Sequence, residues 1–249
     1  MTSIVSYFSS YTFEQVLTIE ESDRQFLALK KAWEQINQKV CPLFDTHQVA
    51  NFFLLMVLQN ATISYQIAGS GELWWEEFSE RLVQDFSSLF PLFLMRNPTS
   101  DWFYNLMTTS RYNKRLYNLK TAKINKFQVG KLYSGTKNMY DYYQDMELLL
   151  KELSSIMGMD TSTKTMTFAI KMFGYAARVV YGQFISYPMS INIPVDSRIR
   201  KIWSLLDKTS SLSDKDIQIS IQKVSKKVGI APLHLDSLLW IEFWKGVKT

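Results

Sequence analysis

The chain has 249 residues, enough for one or two compact domains, and its 47% hydrophobic and 20% charged content excludes an intrinsically disordered protein. Nine glycines and six prolines argue against a turn-rich all-β fold; a single Cys41 rules out an internal disulfide framework and a cysteine-ligated zinc or iron–sulfur centre, and two histidines leave little for metal chemistry. The formal net charge of +5 suits a polyanionic partner.

No basic region followed by an apolar core opens the chain, and the longest apolar run, Phe52–Leu58, is too short to span a bilayer, so the sequence reads as a cytoplasmic protein with no membrane partner. Thr12-Phe-Glu-Gln15 has the form of a capping box opening a short helix through Val16, Leu17 and Ile19. Ser22 precedes a second helix, with Phe26, Leu29, Ala32, Trp33 and Ile36 on one apolar face and Gln25 in its first turn, by itself a solvated residue. His47–Ala68 reads as a helix apolar nearly all round, hence buried, ended by Gly69-Ser-Gly71. The next helix begins at Glu72; its adjacent Trp74 and Trp75 point in different directions, one to the core and one to an interface. Leu82–Phe93 is helical up to a break at Pro91, and Asn97-Pro98-Thr99-Ser100 starts another helix.

From Arg111 to Lys131 the chain carries cations and no acid, the pattern of a solvated helix face or of an edge that contacts phosphates. Two helices then follow in close succession. Leu149, Leu150, Leu153 and Ile156 form the packing face of the first, Ile156–Asp160 with Gly158 makes a tight turn, and Lys164 stands in the first turn of the second, after Asp160, Thr161, Ser162 and Thr163, all able to cap it. Pro188 and Pro194 make Ser186–Val195 extended, and Asp196 caps a helix over Ser197–Leu206. Ser213–Val228 is amphipathic and stopped by Gly229. A last helix, Leu233–Lys245, starts behind Pro232 and places Asp236 and Trp240 one turn apart. No segment has a convincing strand period, so the fold class is all-α.

A glycine-containing turn beside a helix start suits a DNA phosphate, which puts Met157, Gly158 and Met159 against the backbone of a nucleic acid. A helix N-terminus disfavours a nearby cation, so a lysine at position 164 is pushed towards the neutral amine, which is a nucleophile. A carboxylate such as Asp196 can stabilise positive charge at a sugar C1′, as in glycoside hydrolysis. Taken singly, Lys164 is a surface lysine and Asp196 a helix cap; their combination with the hairpin carries the chemical reading.

A helix-hairpin-helix followed by an aspartate on a later Pro-linked segment is the constellation of the helix-hairpin-helix DNA glycosylases. From DRQF near the start to LHLDSLLW near the end, the sequence resembles one branch, the archaeal 8-oxoguanine DNA glycosylases (N-glycosylase/DNA lyases). The resemblance implies a two-lobed helical fold with the active site in the cleft: a terminal-helix lobe of 1–44 and 186–249, and a central lobe of 45–185 containing the hairpin at about 146–180. It implies Lys164 as the Schiff-base lysine and Asp196 as the catalytic aspartate. Gln25, Trp75, Phe168, Lys171, Asp236 and Trp240 would bind the base, with Trp74 the alternative register to Trp75, and Lys171 with Asp236 open to a simple salt bridge. DRQF lacks the proline expected before the glutamine. The four-cysteine cluster that some hairpin glycosylases carry cannot form here, so no metal or cofactor is expected. The implied partner is DNA containing 8-oxoguanine, acted on by a monomer in the cytoplasm, at the nucleoid. A non-catalytic hairpin DNA-binding protein and a helical adaptor are the alternatives; neither needs Lys164, Phe168 and Asp196 together.

Overall fold

Most helix boundaries follow from side chains that satisfy the free N–H and C=O groups at helix ends. In the computed structural model, which describes residues 2–40, 44–96, 99–127, 132, 137–207 and 213–243, the helices are α1 (Thr2–Ser9), α2 (Phe13–Glu21), α3 (Arg24–Lys39), α4 (Thr46–Ile63), α5 (Gly71–Arg96), α6 (Ser100–Thr109) and α7 (Tyr117–Lys126). There follow α8 (Met139–Gln144), α9 (Met146–Met157), α10 (Lys164–Tyr181), α11 (Ser197–Asp207), α12 (Asp214–Val228), α13 (Pro232–Leu238) and a π-helical turn, Leu239–Phe243. No strand occurs among the described residues, as the all-α class requires, and none of their helices is long and apolar enough to cross a membrane. Cys41, Asn97, Pro98, Lys131 and the stretch after Phe243 lie outside the described residues.

Local signals held where the chemistry is local. Thr12 and Gln15 form the reciprocal capping box of α2, and Ser213 with Asp216 does the same for α12. The cap of α3 is Asp23, whose carboxylate accepts the Gln25 N–H at 2.9 Å, because Ser22 is already committed to closing α2. Two boundaries differ from the sequence expectation. α4 stops at Ile63 instead of Ala68, since the Ser64 hydroxyl turns back to the Asn60 carbonyl at 2.7 Å and the chain leaves the helix there. α5 runs through Pro91 to Arg96: Phe90 and Phe93 on either side of the proline pack onto Phe52, and this aromatic burial outweighs the roughly 3 kcal/mol of a helix-interior proline.

Two apolar cores result. The larger surrounds α4, buried from Val49 to Ile63, and takes in α3, α5, α9 and α10; the smaller joins α1, α11, α12 and part of α13 through residues such as Phe8, Ile202, Ile221 and Leu238. A buried ionic seam ties α2 and α13 to α10. Glu20 accepts from Arg178 at 2.5 Å and pairs with His234 Nδ1 at 2.7 Å, while the Tyr175 hydroxyl meets that of Ser237 at 2.9 Å. Burial alone would raise the Glu20 pKa, but His234 and Arg178 together hold it below the ordinary value, so the seam stays ionic. It fixes α13 opposite the C-terminal half of α10.

Gly174 lets the extended segment approach α10. A Cβ there would fall inside the Tyr187 ring, whose hydroxyl donates to the Lys171 carbonyl at 2.7 Å. Gly174→Ala is therefore expected to destabilise the fold despite alanine's better helix propensity, by about 1–3 kcal/mol of overpacking. Denaturant unfolding measures it, and an unchanged or raised midpoint would show that Tyr187 moves aside freely.

Candidate active site

The hairpin forms as its sequence suggests, with one difference at the turn. Gly158 ends α9 at φ 61°, exposed and with open space around it, while Met157 is buried. The N–H groups of Gly158 and Met159 bond the Ser155 and Ser154 carbonyls at 3.2 and 3.0 Å. These two groups thus close the turn, and what Met157–Met159 offers an approaching backbone is the low relief of a glycine surface. Beyond it, Asp160 accepts from the N–H and hydroxyl of Ser162, and Lys164 becomes the first residue of α10.

Asp196 caps α11 by accepting the Ile199 N–H at 2.8 Å through Oδ1, which leaves Oδ2 facing Lys164 Nζ at 3.8 Å. The lysine side chain is about half exposed (52%) and the aspartate sheltered (19%), so the amine can be reached from outside while the carboxylate stays at its side. Both open onto a cleft of about 300 Å³. Phe168 and Lys171, one and two turns after Lys164 on the same face of α10, line it, as do Asp236 and Trp240 from the C-terminal side. The π-helical turn starting at Leu239 interrupts the single α-helix expected there and carries Trp240.

Lys171 and Asp236 form a salt bridge at 2.6 Å, both nearly fully buried. Burial disfavours the ammonium, yet the carboxylates of Asp236 and Asp23 hold its pKa above the ordinary lysine value. Lys171 is therefore a fixed cation in the wall of the cleft. Gln25 is buried at the cleft instead of solvated, and without the proline expected before it. Gly71 at the start of α5 leaves room for its amide, since a Cβ there would lie 3.2 Å from Gln25 Nε2.

The interface expected for one tryptophan of the pair is corrected. Trp74 and Trp75 are both fully buried, so neither faces an interface. Trp75 packs edge-on against Phe168, a cleft residue, with ring centroids 6.2 Å apart. Trp74 Nε1 donates to the Ser64 hydroxyl at 2.9 Å, and Ser64 does line it. The basic run is corrected too. Arg111, Lys114, Arg115 and Lys126 are exposed, but Lys120 is wholly buried with its ammonium on Asn113, and burial together with the charge of Lys123 pulls its pKa down to about 8. Lys120 and Lys123 both lie over the ring of Tyr65, a cleft residue, at 5.0 and 4.1 Å.

Two charged residues at the site escaped the sequence. The Arg198 guanidinium lies 3.3 Å from the Trp240 ring centroid and 3.7 Å from Glu72, which sits in the first turn of α5. Arg198 follows Asp196 by two residues, a spacing that puts it in the same first turn of α11 and could have flagged it.

An all-helical chain that sets a hairpin-borne lysine against a capping aspartate, at the rim of a cleft walled by aromatic and ionic side chains, has the architecture of the helix-hairpin-helix DNA glycosylases. Comparison with known proteins narrows this. A family described as AGOG, N-glycosylase/DNA lyase, matches residues 5–248, and the chain belongs to that family. It is 33% identical over 241 residues to an N-glycosylase/DNA lyase of Methanococcus maripaludis, covering 95% of this chain and 85% of the other. An N-glycosylase/DNA lyase of Methanopyrus kandleri is 32% identical over 244 residues, with 96% and 88% covered. The fold superimposes on a crystal structure of the 8-oxoguanine DNA glycosylase from Pyrobaculum aerophilum complexed with 8-oxoguanosine, with a TM-score of 0.73 at 25% identity, covering 95% of this chain and 84% of that one.

Proposed function

We propose that the protein is a bifunctional DNA glycosylase/AP lyase that flips 8-oxoguanine out of DNA and excises it through a Schiff base on Lys164. The observation that carries this is the pairing of Lys164 Nζ with Asp196 Oδ2, 3.8 Å apart, at the mouth of the cleft. Family membership and the printed activities of the relatives support it. The extruded base stacks between Phe168 and Trp240, with Gln25, Lys171 and Asp236 reading its edge. The neutral Lys164 amine attacks C1′ as the glycosidic bond breaks; the bond's electron pair leaves with the base, which takes a proton. The amine loses its proton, the sugar ring opens, and the imine remains. Asp196 faces the positive charge that develops at C1′. Removal of a C2′ proton then expels the 3′ phosphate with its electron pair, and water frees the lysine.

The smaller apolar core, built by α1, α11, α12 and part of α13, supports a terminal-helix lobe distinct from the central one, while α3, assigned to that lobe by sequence, packs into the larger core. The enzyme acts as a monomer in the cytoplasm, at the nucleoid.

Borohydride reduces an imine to a stable amine, so the protein mixed with an 8-oxoguanine oligonucleotide and borohydride should become covalently attached to it. Absence of any adduct under conditions that release the base would end the Schiff-base reading. Phe168→Ala and Trp240→Ala should each weaken binding to lesion DNA tenfold or more and leave binding to undamaged DNA nearly unchanged, since base–aromatic stacking is worth roughly 1–3 kcal/mol. Equal losses on both DNAs would mean the aromatic pair holds the fold and not the base.

A further inference from the structure

We infer that Arg198 is a positioning residue for base recognition: anchored on Glu72, it clamps the Trp240 indole in the orientation needed for stacking. The inference rests on the base-excision reading above, and three features of the site carry it.

The first is geometric. A guanidinium carbon 3.3 Å from a ring centroid lies face-on in van der Waals contact with the indole, covering one face of it. Trp240 is only partly buried and belongs to a π-helical turn, so its ring depends on neighbours to stay in one orientation. The second is the anchor. Arg198 pairs with Glu72, whose side chain is 15% exposed, and in this way it joins the starts of α5 and α11 to the turn that carries Trp240. Burial pushes the Glu72 carboxyl up, but hydrogen bonds from its own N–H and from Ser70, with the cations of Arg198 and Arg24, bring it below the ordinary range. The carboxylate is therefore charged and largely sheltered.

The third is the consequence of that charge. A base that displaced the guanidinium from Trp240 would pull it away from Glu72 and cost a sheltered carboxylate its paired cation. The arrangement favours a guanidinium that stays while the base stacks on the other face of the indole, which places Arg198, Trp240, base and Phe168 in one column. Glu72, Arg198, Trp240 and Phe168 come from four elements, so the column also fixes how α5, α11 and the C-terminal turn meet α10 at the cleft.

The test is a double-mutant cycle read as lesion preference. In the Lys164→Gln protein, in which binding is separated from turnover, affinities for an 8-oxoguanine duplex and for its undamaged counterpart are measured. The Arg198→Ala and Arg198→Lys changes are made with Trp240 present and with Trp240→Ala. Arg198→Ala should lower lesion preference roughly threefold to tenfold while Trp240 is present, and have no effect on preference once Trp240 is gone. Arg198→Lys keeps the charge without the planar face and should fall between the two. Glu72→Gln loosens the anchor without touching the indole and should reproduce part of the loss. A loss that persists in the Trp240→Ala background, or an equal loss on both DNAs, would make Arg198 a phosphate contact and overturn the inference. A gain in lesion affinity would overturn it as well, because the guanidinium would then be competing with the base. If the Lys164→Gln parent shows no lesion preference at all, the base-excision reading fails first, and visibly so.

Discussion

Lys164→Gln is expected to abolish both base release and the borohydride-trapped adduct while leaving the fold and lesion binding intact. The side chain is about half exposed at the first position of α10, where the helix field disfavours a cation, so its removal should change stability by no more than about 1 kcal/mol, with either sign. Its salt bridge to Asp196 does not alter this, because a loose pair at 3.8 Å with an exposed partner contributes roughly 0–1 kcal/mol. The chemical loss should be close to total. Two other lysines near the cleft are poor substitutes. Lys171 is held as a cation between Asp236 and Asp23 in a wall with 3% of its side chain exposed. Lys120, whose pKa burial pulls down to about 8, is sealed beneath Tyr65 and engaged with Asn113. Gel assays on an 8-oxoguanine duplex, with and without borohydride, measure the result. Cross-linking at wild-type yield by the Lys164→Gln protein would move the imine elsewhere, and Lys171 would be the next residue to change.

What could be read from the sequence was whatever a few neighbouring residues decide. The capping boxes at Thr12 and Ser213, the glycine stops at Gly158 and Gly229, and the common face of Lys164, Phe168 and Lys171 depend only on helix geometry, and all are present. Features set by distant contacts were not legible. Gln25 is buried against residue 71, far along the chain, where a glycine leaves room for its amide. The proline at 91 is carried through its helix by aromatic packing, and Lys120 is drawn inside by Asn113 and Tyr65 although its neighbours in sequence are solvated. The two tryptophans show the limit of periodicity most clearly: adjacent positions on α5 pointed one ring outwards, yet both are buried, Trp75 against Phe168 of α10. The resemblance to a family supplied Asp196 and Gln25 as site residues; pattern alone left the first as a cap and the second as a surface side chain.

Asp196 has two tasks on its two oxygens, and a pair of substitutions should separate them. Oδ1 caps α11 through the Ile199 N–H, and Oδ2 faces Lys164. Asparagine is as good an N-cap as aspartate, so Asp196→Asn should preserve the helix start and the unfolding midpoint. It removes the charge, however, and the charge is needed only as C1′ becomes cationic. Loss of such an electrostatic partner acts on the transition state and should lower the single-turnover excision rate on the order of a hundredfold or more, with lesion affinity unchanged. Asp196→Ala should show the same fall in rate together with a stability cost of about 1 kcal/mol from the missing cap. If asparagine kept the wild-type rate while alanine did not, the carboxylate would be serving only to start α11, and the positive charge at C1′ would have to be met by another group in the cleft. Asp236 is the nearest alternative to consider, but its carboxyl is engaged by Lys171 at 2.6 Å and is nearly fully buried, so its own charge is already neutralised by a fixed cation. A rate loss on Asp196→Asn without loss of stability is thus the outcome the geometry leads to.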